Sequence, residues 1–489
     1  MSSSHEPGLK FVTLHLNPAS RAYLTSLFQI VVGASIAGLT SAIALKSAGH
    51  SVVVLEREPQ LGGPDSIGSG GARVPPNGCK VLFDWGLETD LRAGSVVGNG
   101  FLIFKYDHQG KESGRDCIGL NLWDPQLLVD ARGDFLHMRH RDLLRILYNA
   151  ATKDDREEGG GVATSSEVTV LFNAEVIDID CDICSVTLRS GETHVGDVII
   201  GADGASGVIR KCLMREESNG NAVPEDVPTG LAVYSTVIPK TVAVDHEELR
   251  QLYEYPQSNT VVTLLGNNRG AKVFLAGKDQ DVLVWVYTPN TSQAGSWTQQ
   301  VDKPMRDIVG PCDSLLQTLA AQAGTSTCVQ IKNHYELKSW VSQSGKVVAI
   351  GEAAHPFPPI SLHTCSIAIE DGAFIGKIFS HTRSPTRISE FLHAFEENRK
   401  TRCAYILQSE QNNLDFIVMP DGEKQVARDA LLRANQAAGR NVMDAPEEEM
   451  HKIWDDMRIV FSYDPSDAAD EWWVSWGRLR DAPSAKASG

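Results

Sequence analysis

The chain has 489 residues, of which 42% are hydrophobic, 22% charged and 7% aromatic. That length holds two or three domains, and the composition excludes disordered, fibrous and collagen-like chains. With 45 Lys and Arg against 62 Asp and Glu the net charge is −17, a surface that repels phosphate backbones, so nucleic acid is not an expected partner.

Residues 1–27 lack a basic region followed by an uninterrupted apolar core, and read as an N-terminal extension rather than a signal peptide. The most apolar stretch, Ile30 to Leu45, is shorter than a typical helical span and is broken by Gly33, Ser35, Gly38, Thr40 and Ser41, so no membrane span is expected. Residues 28–57 spell a βαβ unit. A β-branched strand, Ile30–Val32, runs into the turn Gly33-Ala-Ser-Ile-Ala-Gly38. Ile36, Leu39, Ala42, Ile43 and Leu45 then mark a helix that stops at Gly49, and the strand Ser51–Leu55 closes on Glu56. Gly33 permits the tight turn, and a small residue at 35 lets the backbone approach a pyrophosphate. Gly38 lets helix pack on strand, the helix start offers free N–H groups, and Glu56 can accept from a ribose diol. Ser35 stands where a GxGxxG pattern has its second glycine. A dinucleotide is the expected ligand.

Beyond Arg57, residues 57–150 alternate glycine-rich loops with helical pieces such as Asp142–Ala151, and 153–166 is a polar surface loop. Nine Cys at irregular spacing fit a reducing compartment, hence a cytoplasmic location, better than a disulfide scaffold. The one CxxC, Cys181 to Cys184, lies between strand-like runs and reads as a hairpin turn, and no metal site is expected. Asp197–Arg210 is a buried strand ending at Asp203-Gly204, then a helix start. Gly230 to Tyr287 carries several strands of an antiparallel sheet, whose Tyr234, Leu264, Phe274, Trp285 and Tyr287 are candidate substrate contacts. Lys346–Pro356 is again strand, glycine and acid (Gly351-Glu352), followed by FPPISLHTCS and a helix. His355 there reads as part of the turn's structure. The tail from 421 is helical in pattern, and its Trp472–Trp476 cluster reads as a packing anchor.

Three segments in this order, Gly33–Gly38, Asp197–Gly204 and Gly351–Pro356, resemble the flavin-dependent monooxygenases related to para-hydroxybenzoate and salicylate hydroxylase. The resemblance runs from about residue 28 to about 420. Gly70-Gly-Ala-Arg73-Val-Pro-Pro-Asn77 and Met138–Leu143 resemble segments of the fungal, secondary-metabolite branch. The fold implied is α/β: a Rossmann-type, GR2-like FAD-binding domain (28–215 and 341–420) with an inserted, mostly antiparallel substrate sheet (216–340) and a helical C-terminal extension (421–489). Non-covalent FAD would be held by Gly33, Ser35, Ala37, Gly38, Glu56, Arg57, Gly71, Ala72, Asp203, Gly204, Glu352, Ala353, Pro356, Thr364, Cys365 and Ser366, and by Arg139 or Arg141, which flank His140 at the family's arginine position. Arg73 would contact flavin or substrate. NAD(P)H would bind transiently, because there is one full dinucleotide fingerprint. The implied reaction is hydroxylation or epoxidation of an aromatic or indole-like natural product with O2, through a flavin hydroperoxide. The chain departs from the family at Glu352 (Asp), Gly207 (Ser) and Leu362–Ser366 (G-Q-G-A-N). Those departures keep open a non-oxygenating flavin oxidase or reductase, and a degenerate FAD-binding protein.

Overall fold

The computed structural model describes residues 27–480 apart from 63–69, 108–114, 154–165, 220, 255–256, 291–296, 298, 382–383, 443 and 445–446. The N-terminal extension (except Leu27) and most of the expected 153–166 loop therefore lie outside the described residues.

Strand β1 (Phe28–Val32), helix α1 (Ile36–Ser47) and strand β2 (Ser51–Leu55) form the expected βαβ unit. Ser35 caps α1, its hydroxyl accepting the Gly38 N–H at 3.2 Å, and Gly49 at φ +87° ends it. Strands β3 (Gly71–Val74), β4 (Ser95–Gly98), β5 (Gly100–Lys105), β6 (Cys117–Leu122) and β7 (Phe135–Arg139) follow, then helix α2 (His140–Thr152). The chain continues through β8 (Val168–Leu171), β9 (Val176–Asp180), β10 (Ser185–Leu188), β11 (Thr193–Val195) and β12 (Val198–Gly201) into helix α3 (Val208–Ser218). Next come β13 (Val227–Ile238), β14 (Thr260–Gly266), β15 (Arg269–Ala276), β16 (Asp281–Pro289), β17 (Gln300–Val301), β18 (Ser326–Asn333) and β19 (Val347–Ala349). Five helices close the described chain: α4 (Thr364–Ser380), α5 (Ile388–Ile417), α6 (Glu423–Ala437), α7 (Glu447–Phe461) and α8 (Pro465–Ser475).

Five strands in the order β19-β12-β1-β2-β8 make an all-parallel sheet. Its strands are short β-branched runs because both faces are covered. The CxxC forms the turn between β9 and β10, with Cys184 at φ +55°. An eight-stranded sheet, β17-β18-β13-β16-β15-β14-β5-β6, is antiparallel at every pairing except β14 with β5. It takes β5 and β6 from within residues 28–215, so that segment builds part of both units. Alternation splits the large sheet. Leu264, Val273, Val284 and Tyr234 face a core closed by Leu249, Met305 and Leu315. Leu265, Phe274, Trp285 and Tyr287 face the opposite core, which Ile417 at the end of α5 joins.

The tail is helical, but a break at Gly439 (φ +68°) ends the helix that starts at Glu423. Salt bridges from Lys105 to Asp429 (2.6 Å) and from Arg433 to Asp116 (2.6 Å) fix α6 beside the sheet. Trp473 stacks on His381 with centroids 4.7 Å apart, and Trp472 meets Phe391 edge-on, so two members of the Trp cluster anchor α8. Trp476 does not: it is 66% exposed.

A Cβ at Gly38 would stand 2.0 Å from the Gly33 carbonyl oxygen. Helix propensity alone makes Gly→Ala stabilising by about 1 kcal/mol. We expect Gly38→Ala to be destabilising instead, by about 1–3 kcal/mol, with thermal unfolding of variant and parent giving the sign.

Candidate active site

Both glycines of the first turn are fixed by close backbone approach. Gly33 sits at φ +101°, and a Cβ on it would meet the Ala202 carbonyl oxygen at 2.6 Å. The Gly33 N–H donates to Leu55 O at 2.8 Å. Glu56 shapes the turn: its Oε2 accepts the Ala34 N–H at 2.8 Å and its Oε1 the Glu58 N–H at 2.9 Å. Ser35 donates its hydroxyl to Ala202 O at 2.9 Å while capping α1. Arg57 projects into solvent beside Glu58.

The two later segments close on the start of α1. Asp203 accepts the N–H groups of Val208 (2.5 Å) and Ile209 (3.1 Å) at the start of α3, leaving Oδ1 unpartnered; burial pushes its pKa up to about 6. A Cβ at Gly207 would lie 2.2 Å from that carboxyl carbon, so the glycine found where the family has Ser makes room for the cap. Gly204, at φ +83°, has open space around it. Arg210 of α3 donates to the Ala353 and Ala354 carbonyls (3.1 and 3.3 Å), tying α3 to the turn around Glu352. That turn meets α1 directly: a Cβ at Gly351 would stand 2.9 Å from Ala37 Cβ. Ala353 is buried and Pro356 half-buried. Glu352 remains open to solvent, while burial among protein atoms raises its pKa.

Behind this cleft lies a buried charge network. Asp371 accepts the Gly351 N–H at 2.8 Å and pairs with His355 Nε2 (2.6 Å) and Arg399 Nε (2.8 Å). Glu370 pairs with Arg399 (2.7 Å) and Arg402 (2.9 Å) and accepts from Asn77 (2.7 Å). Burial pulls His355 down, but Cys403 and Asp371 outweigh it and push its pKa up to about 10. Among the described residues, His355–Asp371–Cys403 and Cys181–Cys212–Glu216 have their donor atoms within 4.8 Å of one another. In the first, the partners already neutralise one another.

Helix α4 begins in the LHTCS segment at Thr364. His363 donates its N–H to the buried Glu410 at 2.8 Å, and Thr364 Oγ1 is buried without a partner. Cys365 stands between charged groups, its thiol pushed up to about 12 by burial and by Glu352, with Arg73 opposing. Ser366 packs against Gly78. Opposite lies the large sheet. Gly71 has no room for a side chain, since a Cβ there would overlap Leu283, and Ala72 is buried. Arg73 reaches across to the sheet: its guanidinium lies 5.2 Å from the Trp285 ring and 5.9 Å from Phe274, Nη2 donates to Ile360 O at 3.3 Å, and Nε is buried without a partner. Of the aromatic and aliphatic candidates, Phe274, Trp285 and Tyr287 share this face; Tyr234 and Leu264 point into the other core.

Arg139 is held in an ion pair with Asp281, and Arg141 packs beside Gly62. Both line a surface cavity of about 290 Å³ with Arg145 and Lys278. At the family's arginine position, burial pulls His140 down to about 4, so it is neutral. Sequence reasoning missed Lys272. It sits on the same face as Phe274, two residues away on β15, and is 4% exposed. The shared parity with Phe274 was the available signal.

Burial, with Arg73 adding to it, drops the Lys272 pKa from 10.5 to about 7. The folded state then holds its proton less tightly than the unfolded chain. The stability lost is greatest below about pH 7 and is regained as pH rises toward 10.5. Lys272→Met should therefore raise the thermal midpoint most at pH 6, with the gain shrinking toward pH 10; differential scanning across that range checks it.

The glycine cradle, the unpartnered Asp203 oxygen and the Glu352 carboxylate, gathered around the start of α1, fit a dinucleotide. Among the described residues no helix is long and apolar enough to cross a membrane. The FAD binding domain family model matches residues 28–410. The FAD-dependent monooxygenase atnJ of an Arthrinium species is 26% identical over 443 residues, covering 88% of this chain and 94% of that protein. The hispidin-3-hydroxylase of Neonothopanus nambi is 24% identical, covering 79% and 88%. Among solved structures, CtdE in complex with FAD and a substrate shares the fold (TM-score 0.68, 19% identity, 93% of this chain and 100% of that one). So does a salicylate hydroxylase substrate complex (TM-score 0.63, 16% identity, 91% and 98%). With a family model spanning most of its length, the chain belongs to the FAD binding domain family.

Proposed function

We propose that this FAD-dependent monooxygenase uses NAD(P)H and O2 to hydroxylate or epoxidise an aromatic or indole-like natural product. The supporting observation is a continuous path of contacts. The Gly33–Gly38 turn meets the Gly351 turn at Ala37, the Glu352 charge next in that turn acts on the Cys365 thiol, and Arg73, which also acts on that thiol, lies over the wall of Trp285 and Phe274. This supports a cradle and an aromatic wall that serve one site.

Bound FAD would supply electron transfer from the nicotinamide and activation of oxygen. The chain's own residues do the rest. The starts of α1 and α4 present N–H groups and positive dipole ends, the first for a pyrophosphate and the second for negative charge on a ring system at Cys365. Glu56 is placed to accept from a ribose, and Gly33, Ser35, Gly38, Asp203, Gly204, Glu352 and Ala353 to form the cradle. The wall of Phe274, Trp285 and Tyr287 excludes water and sets the plane of a ring. Relatives carry the monooxygenase and hydroxylase names given above, which supports an oxygen-inserting reaction.

The test is direct. The purified protein should carry releasable FAD, oxidise NADPH or NADH faster with the right aromatic present, and place one atom of ¹⁸O from ¹⁸O2 in the product by mass spectrometry. Reduction without labelled product would instead make it an oxidase or reductase, and failure to take up FAD would overturn both.

Glu56→Ala removes the acceptor at the end of β2 and the hydrogen bonds that hold Ala34 and Glu58. Loss of hydrogen bonds to a charged group costs about 1.5–3 kcal/mol, so FAD affinity should fall roughly tenfold to a hundredfold. Titration of the apoprotein followed by flavin fluorescence checks this, and unchanged affinity would remove Glu56 from the cradle.

A further inference from the structure

We propose that Cys181, Cys212 and Glu216 form a binding site for a thiophilic divalent cation of the zinc class, which clamps α3 to the β9–β10 turn. The site stands apart from the cleft described above. Cys181 opens that turn, and Cys212 and Glu216 are one helical turn apart on α3. The three donor atoms lie within 4.8 Å of one another. The two sulfurs are 3.5 Å apart, and Glu216 is within hydrogen-bond reach of the Cys181 thiol. Tetrahedral zinc, with sulfur at about 2.3 Å, sets two thiolates about 3.8 Å apart, close to the spacing found. A disulfide needs the sulfurs about 1.5 Å closer. The geometry therefore favours a shared cation over a covalent bond.

Two thiolates and a carboxylate are donors that zinc takes, and they leave a fourth position for water. Cys181 is 9% exposed, and Cys212 and Glu216 are half-buried, so solvent reaches the cluster. Cys212 is the readier thiolate: the hydrogen bond from Cys181 lowers its pKa, with burial opposing. Around it Glu216 and Asp178 supply two negative charges and Arg215 one positive, a local field that favours a cation. One Glu216 oxygen accepts the Gln343 N–H at 2.9 Å, which orients the carboxylate and leaves the other oxygen for the metal. The CxxC does not supply the thiol pair. Cys184, at φ +55°, turns its thiol to the Lys346 carbonyl (3.9 Å), and the partner of Cys181 comes from α3 instead. A cation here joins the β9–β10 turn, α3 and, through Glu216, the chain before β19. Helix α3 starts on the Asp203 cap and sends Arg210 to the Ala353 and Ala354 carbonyls. The clamp thus fixes the helix that ties the two later turns together.

The experiment uses the FAD-loaded full chain, stripped of metal with a chelator and kept reduced. Cobalt(II) should bind with the d–d absorption of a tetrahedral thiolate site, to the red of the flavin bands, and zinc should displace it. Cys181→Ser and Cys212→Ser should each weaken zinc at least roughly a hundredfold, and Glu216→Gln about tenfold, while Cys184→Ala stays within about threefold of the parent. Flavin absorbance reports whether each variant folds. Two readouts on the parent need no variant. Zinc should shield Cys181 and Cys212, but not Cys117, from iodoacetamide, read by peptide mass spectrometry, and it should slow amide hydrogen exchange in α3. No cobalt band, equal alkylation of the pair with and without zinc, or zinc affinity unchanged in Cys212→Ser overturns the site. Exchange in α3 that stays the same with zinc bound overturns the clamp. A parent that takes up no cobalt when reduced, yet forms a Cys181–Cys212 disulfide in air, has a redox pair instead, and the inference falls. FAD uptake and oxygen insertion are read separately, so the proposed function survives any of these failures.

Discussion

The carboxylate of Asp371 joins parts of the chain that are otherwise far apart. It receives the Gly351 N–H from the turn after β19, pairs with His355 in that turn, and holds Arg399 from the middle of α5. Without it the Gly351 turn would have a bare N–H facing the core and would lose its tie to α5, leaving Arg210 to hold it from α3. Buried ion pairs contribute little net stability, yet removing one partner costs about 3–5 kcal/mol, because the other charge stays behind. Such a network therefore enforces position. Glu370, next in the helix, repeats the device with Arg402 and Asn77, and Tyr463 lies over Arg402 with 4.4 Å from guanidinium to ring centroid. The tail is thus coupled to the cleft: the residues that carry the flavin-side turns on one face carry the C-terminal extension on the other.

That coupling explains which features were legible in the sequence. The β1–α1–β2 unit was readable with near-correct bounds because every determinant is local: β-branched runs, two glycines five residues apart, a helical period and a terminal acid. The same holds for the β9–β10 turn. Gly207 was readable only as a departure from a pattern. Its reason, room for the Asp203 carboxylate over the start of α3, is a contact visible only in three dimensions.

The sheet shows the limit from another side. Its strands alternate, so Tyr234 and Leu264 were separable in principle from Phe274, Trp285 and Tyr287. Both faces are apolar, however, since each packs into a buried core that helices help to close, and hydrophobicity cannot say which is which. A charge in such a strand is the better signal. Lys272 breaks an otherwise apolar face in a strand buried along most of its length, and burying an unpaired lysine is costly enough that its position carries information. Arg139 shows another limit: the motif names it or Arg141 for the cofactor, and its ion pair with Asp281, 142 residues away, is a contact that no local pattern announces.

The net charge of −17 and the buried charges of Arg73, Lys272 and Glu410 act over different distances. At physiological ionic strength the field of exposed carboxylates fades within about 8 Å, so the acidic surface neither reaches Lys272 nor balances it. Inside the protein the charges of Arg73, Lys272 and Glu410 are poorly screened. Two cations against one acid give a local charge opposite in sign to that of the chain as a whole. Sequence-wide charge speaks to encounters with other macromolecules, whereas the local field at the sheet is made by three side chains from β3, β15 and α5, more than 300 residues apart at the extremes.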